Sequence, residues 1–260
     1  MQTSNTILNK INAAKALDFG TIFSASIELF KKTWIQGLLL QLFTIIIMLP
    51  LIIILYVPLF TFAFAQMESG YGATNVYSDF FAGASIIYLL FVFVGIFVLG
   101  AVSVALNAAF NRIMKKIDYN ERVETADFFY FLKGKYLSKT FMLMLITMLI
   151  AIPSAFLCYI PLIYVMVPMS FFAMIFAFNP ELSVGDIVKI SFSIGNKKWL
   201  ITFGLLVVAW LVTVVLGTIT CGLASIFIAA FMYHPVYLIY KEVIGFDQET
   251  ELEELGEYNS

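Results

Sequence analysis

Charged residues are scarce in this chain of 260 residues. Asp, Glu, Lys and Arg make up 12% of the sequence, against roughly a quarter in soluble proteins, whereas hydrophobic residues make up 62%. Mean hydropathy is +0.95. These values exclude an ordinary soluble domain and indicate an integral membrane protein, because the apolar runs are long enough to cross a bilayer.

Reactive side chains are scarce as well. The chain has a single histidine, His234, and two cysteines, Cys158 and Cys221. Metal sites need several convergent ligands, and the sequence contains no phosphate-binding glycine loop, nucleophile elbow or Walker motif. We therefore expect no enzyme activity, cofactor, metal or nucleic-acid partner, and we interpret His234 as a packed or interfacial side chain.

The two ends of the chain are polar. Residues 1–17 lack the uninterrupted apolar core and the small-residue cleavage site of a signal peptide, so they are expected to remain as a weakly ordered segment. Residues 244–260 carry acidic but no basic side chains and are expected to form a flexible tail. The membrane domain then occupies residues 18–243.

A segment near the N-terminus recurs in the second half of the chain. Residues 18–50 align with residues 183–216 when position i is set against position i+165. Identical residues in this alignment are Gly20 and Gly185, Ile22 and Ile187, Ser26 and Ser191, Lys32 and Lys197, and Trp34 and Trp199. In both copies a stretch with helical periodicity precedes basic residues, a tryptophan and a long apolar run. This order predicts an amphipathic helix on the membrane surface, a basic hinge and then a spanning helix.

Helical spacing in the first copy places one set of side chains on a common face. The members of this predicted apolar face are Phe19, Ile22, Phe23, Ser26, Ile27, Phe30 and Trp34. Ser183, followed by Asp186, forms a capping-box pattern at the start of the second copy. A third and more degenerate copy is a further candidate at residues 124–140. Contact with lipid headgroups and ordinary packing beneath the bundle both fit such helices.

Six apolar runs predict an all-α fold with six transmembrane helices, preceded by amphipathic helices at spans 1 and 5 and by the degenerate candidate at span 3. The runs cover residues 34–65, 80–110, 141–158, 162–178, 199–216 and 223–240. The first would measure about 48 Å as one helix, against roughly 30 Å of hydrocarbon. Pro50 and Pro58 are therefore expected to kink or break it. Asn107 is expected to form an interhelical hydrogen bond.

All 15 Lys and Arg residues fall on one side of this six-span arrangement. Positive residues stay in the cytoplasm during insertion, so both termini are expected there, in the inner membrane of a bacterium. Candidate contacts with lipid or a partner protein are the basic and tryptophan residues of the two hinges: Lys31, Lys32, Trp34, Lys197, Lys198 and Trp199. Simple topogenic signalling explains the same charges equally well.

Two functions fit this architecture. The first is an inner-membrane bundle without catalysis that organises membrane lipids or a membrane-protein partner at the cytoplasmic leaflet. The alternative is a carrier or channel for an apolar or uncharged solute, with Gln36, Gln41 and Asn107 along its path. The two copies share one orientation, which makes them parallel rather than inverted repeats.

Three segments resemble a class of bacterial membrane proteins: LDFGTIFSASIELFKKTW, NPELSVGDIVKISFSIGNKKW and PVYLIYKEV. The class comprises six-span proteins of unknown function and includes the membrane domain found beside glycerophosphodiester phosphodiesterases. The similarity covers most of residues 17–243 and implies membrane residence and a helical bundle. Members from the Bacteroidetes often carry the label beta-carotene monooxygenase, but such enzymes bind iron through several histidines, and this chain has one.

The two cysteines generate a first prediction. Cys158 and Cys221 fall at the outer ends of their predicted spans, where an oxidising compartment permits a disulfide. Two free thiols are the alternative, because the sequence does not bring their Cα atoms within bridging distance. A disulfide would give different mobilities on non-reducing and reducing gels, and Cys158→Ser would abolish the difference. Identical mobilities of the unaltered protein would leave the two thiols free.

Overall fold

The computed structural model describes residues 3–68, 76–157 and 159–246, and these residues contain no β-strand. Eleven α-helices follow one another in this part of the chain: α1 Ser4–Ala13, α2 Phe19–Glu68, α3 Val76–Gly83, α4 Ile86–Asp118, α5 Gly134–Phe156, α6 Ile160–Ser170, α7 Phe172–Phe178, α8 Val184–Lys197, α9 Trp199–Ile219, α10 Leu223–Ile228 and α11 Tyr233–Val243. Two 3-10 helices, Thr125–Leu132 and Ala229–Met232, precede α5 and α11. The predicted all-α fold is confirmed.

Six segments of the described chain are long and apolar enough to cross a membrane. They are Phe19–Ala65, Ile86–Asp118, Gly134–Phe156, Ile160–Phe178, Trp199–Ile219 and Leu223–Val243. The fourth combines α6 with α7, and the sixth combines α10, the second 3-10 helix and α11. The chain is therefore an integral, multi-pass membrane protein, with the fourth and sixth segments the most buried of the six.

Helix α2 differs from the expected helix, hinge and span, because it is continuous over its 50 residues. Its length is therefore about 75 Å. No glycine or proline interrupts residues 31–34, and Thr33 donates its hydroxyl to the carbonyl of Leu29 at 3.0 Å. Pro50 and Pro58 lie inside the helix without ending it. The second copy does contain a break, since Lys198 separates α8 from α9 with φ −111° and ψ 23°.

The buried face of α2 is narrower than the predicted apolar face. Its buried residues before the middle of the helix are Ile22, Ser26, Leu29, Thr33, Gly37 and Leu40. These positions are separated by steps of three or four, the spacing of a single packing seam. Ile22 and Ser26 agree with the prediction, whereas Phe19 and Trp34 are 40% and 44% exposed. These two aromatic residues flank the seam, so the exposed part of the predicted apolar face includes them.

The degenerate third copy forms a different structure from the expected surface helix. Residues Thr125–Leu132 fold as a 3-10 helix, and its side chains Phe128 and Phe131 are buried. Phe128 packs edge-on against Phe43 of α2, with ring centroids 5.3 Å apart. This segment therefore belongs to the core of the bundle.

The polar N-terminal segment is more ordered than its composition predicts. Residues Ser4–Ala13 form α1, which packs on α8 and buries Ile7 and Ile11 completely. At the other end of the chain, Phe246 packs on Phe178 with ring centroids 4.7 Å apart. The remainder of the acidic tail, residues 247–260, lies outside the described residues.

Helix α8 runs antiparallel beside α6 and α7. A Cβ added at Gly195 would lie 2.6 Å from the Cα of Pro168, and the Phe192 and Phe172 rings are 6.3 Å apart. The sequence predicts only an amphipathic helix on the membrane surface. The contacts show that α8 packs on the middle of the fourth segment, between Pro168 and Phe172, so the close packing of Gly195 on Pro168 contributes to its orientation beside amphipathicity.

Two internal prolines free backbone carbonyls that neighbouring helices then bond. Pro58 has no N–H for the carbonyl of Ile54, which accepts instead from the hydroxyl of Tyr88 at 3.2 Å. Pro168 likewise frees the carbonyl of Tyr164, which accepts from the indole N–H of Trp199 at 3.0 Å. Each bond gives a carbonyl that its own helix leaves unpaired a donor from a neighbouring helix, and this stabilises the interrupted helices.

The Gly195 contact yields a second prediction with a control in the same helix. Gly195→Ala forces a methyl group into the backbone of Pro168 and should destabilise the protein by about 1–3 kcal/mol. Gly185→Ala meets nothing closer than the hydroxyl of Ser183 at 3.9 Å. It should be neutral or stabilising by up to about 1 kcal/mol. Thermal unfolding in detergent should show a lower Tm for Gly195→Ala alone, and equal melting of both variants would contradict the close packing.

Candidate functional site

A buried hydrogen bond joins α2 to α11. The Nε2 atom of His234 lies 2.6 Å from the hydroxyl of Thr33, and Nδ1 lies 3.1 Å from the carbonyl of Ala230. A carbonyl only accepts, so the hydrogen-bond network assigns the proton to Nδ1. In the neutral ring Nε2 then accepts from Thr33, in competition with the carbonyl of Leu29 for its one hydroxyl hydrogen.

Aromatic rings enclose His234 on several sides. Its ring centroid lies 5.5 Å from that of Phe30, 6.1 Å from that of Phe110 and 5.9 Å from that of Phe231. The side chain is completely buried. The interpretation of His234 as a packed residue is confirmed, and its role is to hold α2, α4 and α11 together.

Polar side chains also join α4 to α11. Asn107 accepts a hydrogen bond from the hydroxyl of Tyr233 at 2.9 Å, which confirms the predicted interhelical bond. Near the C-terminal ends of both helices, Asp118 accepts from Tyr237 at 2.9 Å and from Lys241 at 2.6 Å. The sequence analysis missed Asp118, although it is the first acid after a run of basic residues and so was a natural partner for a cation.

Several lysines bond backbone carbonyls of other segments. These pairs tie helix ends and connections together: Lys10 to Ile244 at 3.0 Å, Lys139 to Leu182 at 3.0 Å, Lys197 to Asn12, and Lys198 to Lys15. Each ammonium group adds positive charge where a helix or turn leaves carbonyls without internal partners. Many cations of the chain are therefore structural.

The three predicted contact residues of the first copy lie on the outside of α2. Lys31 pairs with Glu28 at 2.7 Å, and their side chains are 63% and 68% exposed. Lys32 is exposed, as is Trp34. The first copy therefore presents two ammonium groups and an indole ring side by side on one exposed helix.

The three predicted contact residues of the second copy each make contacts within the fold. Lys198 is only 6% exposed, and burial together with the adjacent Lys197 lowers the pKa of its ammonium group. Trp199 is half-buried and stacks on Phe203 with ring centroids 4.7 Å apart. Lys197 is exposed but donates to the carbonyl of Asn12. Contact with lipid or a partner stays a prediction for all six residues, and the geometry favours the first copy.

The predicted cysteine pair falls partly outside the described residues. Cys158 lies outside them, and Cys221 is exposed in the turn between α9 and α10. The disulfide between them stays a prediction.

Two amide side chains keep an oxygen without a hydrogen-bond partner among the described residues. They are Gln36, on α2, and Asn111, on α4, and both oxygen atoms are buried. Gln41 is half-buried on α2. Of the groups predicted to line a solute path, Asn107 is engaged with Tyr233, and Gln36 keeps a buried oxygen atom without a partner among the described residues.

No protein-family model, curated protein or solved structure matches this chain. The functional argument therefore rests on its own geometry.

The bond between Thr33 and His234 yields a third prediction. Thr33→Val leaves the buried Nε2 atom without a donor and should destabilise the protein by about 1–2 kcal/mol. Thr44→Val is the matched control, because the hydroxyl of Thr44 donates only within α2, to Leu40 at 2.8 Å. Unfolding in detergent should place this control within about 0.5 kcal/mol of the unaltered protein. Equal losses in both variants would show that the interhelical bond contributes nothing.

Proposed function

We propose that this chain is a non-enzymatic protein of the bacterial inner membrane that organises lipid or a membrane-protein partner at the cytoplasmic leaflet. The observation that carries the proposal is the exposed group on α2 formed by Lys31, Lys32 and Trp34. Lys32 and Trp34 stand immediately before a run without charge that extends to Ala65. Such a sequence of cation, indole and hydrocarbon matches the order of headgroup, interface and acyl chain across a leaflet.

The distribution of cations supports a cytoplasmic position for this group and for both termini. The ion pair of Asp118 with Lys241 brings the C-terminal ends of α4 and α11 together. Lys10 of α1 bonds the carbonyl of Ile244, so the N-terminal segment meets the same end of α11. The N-terminal segment, the end of α4 and the end of α11 therefore lie at one end of the bundle together with their basic residues. The positive-inside rule expects such a concentration at a cytoplasmic face.

Lipid contact by Lys31 and Lys32 has a definable strength. Each ammonium near an anionic surface contributes about 1 kcal/mol at physiological salt, and the attraction falls within a Debye length. Glu28 offsets part of this attraction through its pair with Lys31. Topogenic signalling during insertion explains the same charges without any lasting contact, so the two explanations differ in what the mature protein retains.

The resemblance to bacterial six-span proteins supports the same assignment. We extend it to this chain as a proposal on the three segments that carry it, and only membrane residence and the helical bundle transfer with it. A carrier or channel for an uncharged solute is the alternative, and the buried free acceptor of Gln36 is the observation in its favour. Solute flux into liposomes that is abolished by Gln36→Leu would establish that alternative.

The proposed lipid contact yields a fourth prediction. Lys31→Gln combined with Lys32→Gln removes two exposed charges and should lower retention of anionic lipid up to about 30-fold. Glu28→Gln, one turn away, should raise retention, because it removes the opposing charge. Native mass spectrometry of the purified protein measures the retained lipids directly.

If the double variant lost a co-purifying protein but retained its lipids, the partner would be that protein instead. Unchanged lipid and protein profiles in both variants would contradict the proposal and leave the charges as insertion signals. Lys198 is excluded from the test because its burial makes its loss a folding defect.

A further inference from the structure

The register between α2 and the sixth candidate span determines how deep the preceding turn can lie. Thr33 faces His234, and a Cβ added at Gly37 would lie 2.8 Å from the Cβ of Ala230. Four residues forward on α2 thus correspond to four residues back on its neighbour, so the two segments are antiparallel. The same register brings Leu223, the first residue of α10, beside Thr44, and α2 does contact α10.

Charged residues end at one level on α2 and α4, the level of His234 on α11, which we call the charge boundary. On α2 the exposed Lys32 lies one residue before Thr33, the partner of His234. On α4, Phe110 packs 6.1 Å from His234, and Arg112 follows two residues later. Charged side chains are too costly to stand in hydrocarbon against lipid. The bilayer core therefore lies on the side of this boundary away from Lys32 and Arg112.

Only half of the sixth candidate span extends beyond the charge boundary. From His234 back to Leu223 the chain rises about 16 Å, against roughly 30 Å of hydrocarbon. The α9 helix returns over the same depth, because a Cβ added at Gly217 would lie 2.3 Å from the hydroxyl of Ser225. Trp210 then falls near the boundary and is 53% exposed, as expected of an interfacial tryptophan.

Helix α2 continues well past this turn. From Thr44 to Ala65 it extends about 32 Å further without a charge, alongside α4. The turn between α9 and α10 is therefore about one bilayer thickness short of the far end of α2. Two large apolar side chains flank the turn and are exposed, Ile219 at 72% and Leu223 at 67%.

We propose that the hairpin of α9 and α10 is re-entrant: it enters the leaflet on the cationic side, turns at residues 220–222 within the hydrocarbon and returns to the same side. Acyl chains of that leaflet cover its exposed face. Gly222 makes the turn with φ 92°, a conformation open to glycine. Removal of two crossings keeps all Lys and Arg residues on one side, so their distribution fits both topologies. The inference does not depend on the proposed lipid contact of Lys31 and Lys32.

The native Cys221 is the probe that tests this proposal. In the Cys158→Ser variant, Cys221 is the only cysteine. Its side chain is not covered by other residues of the protein, so slow labelling would report that lipid covers it. The matched control is Gly83→Cys in a background with both native cysteines replaced by serine. Gly83 ends α3 on the far connection between α2 and α4, and an added Cβ there meets nothing within 4 Å.

In sealed membranes a charged maleimide should label Cys221 at least about tenfold more slowly than Gly83→Cys, and unfolding in detergent should equalise the two. A nitroxide on Cys221 in vesicles of phosphatidylethanolamine and phosphatidylglycerol should collide with oxygen in preference to a polar nickel chelate. Rapid maleimide labelling of Cys221 from either side, or a preference for the nickel chelate, would overturn the proposal. Neither measurement responds to Lys31→Gln with Lys32→Gln, so failure of the lipid-contact proposal is distinguishable.

Discussion

A polar group packed between helices has little water to bond, and the packing of this protein depends on supplying hydrogen-bond partners from within the chain. The carbonyls freed by Pro58 and Pro168 accept from Tyr88 and Trp199, each on another helix. His234 is satisfied by Thr33 across the seam between α2 and α11. Each of these bonds also fixes the register of a helix pair. The same hydrogen bonds that pair the polar groups therefore determine which helices are neighbours.

The two copies of the repeated segment have diverged in the use of the same residues. In the first copy, Lys32 and Trp34 remain on the outer surface of a continuous helix. In the second, Lys197 bonds the carbonyl of Asn12 and Trp199 bonds that of Tyr164, at a break between helices. Residues that stay on the outer surface in one copy therefore bond other segments of the chain in the second, even where both copies leave the side chain exposed, as at Lys32 and Lys197.

Hydropathy and composition were sufficient to predict the helical fold and the six apolar segments, because each signal extends over about 20 residues and no tertiary contact overrides it. The bond of Asn107 was equally accessible, since an amide in an apolar helix must find a partner. The orientation of α8 could not be predicted from the sequence, because the close approach of Gly195 to Pro168 produces no periodic pattern in it. Nor could the rotation of α2 about its own axis be predicted, since a seam of every third and fourth residue fits more than one rotation.

Helix α2 is long and continuous, so a small change in its tilt moves its ends far apart from their original positions. It is anchored at one end by the seam from Ile22 to Leu40 and carries exposed lysines beside that anchor. A tilt of about 5° at the anchor displaces the opposite end by about 6 Å over its length. Pro50 and Pro58 confine bending to the distal half. A change of tilt near Lys31 would therefore reach the far side of the bilayer through α2 together with α4, which packs on it at Gly95.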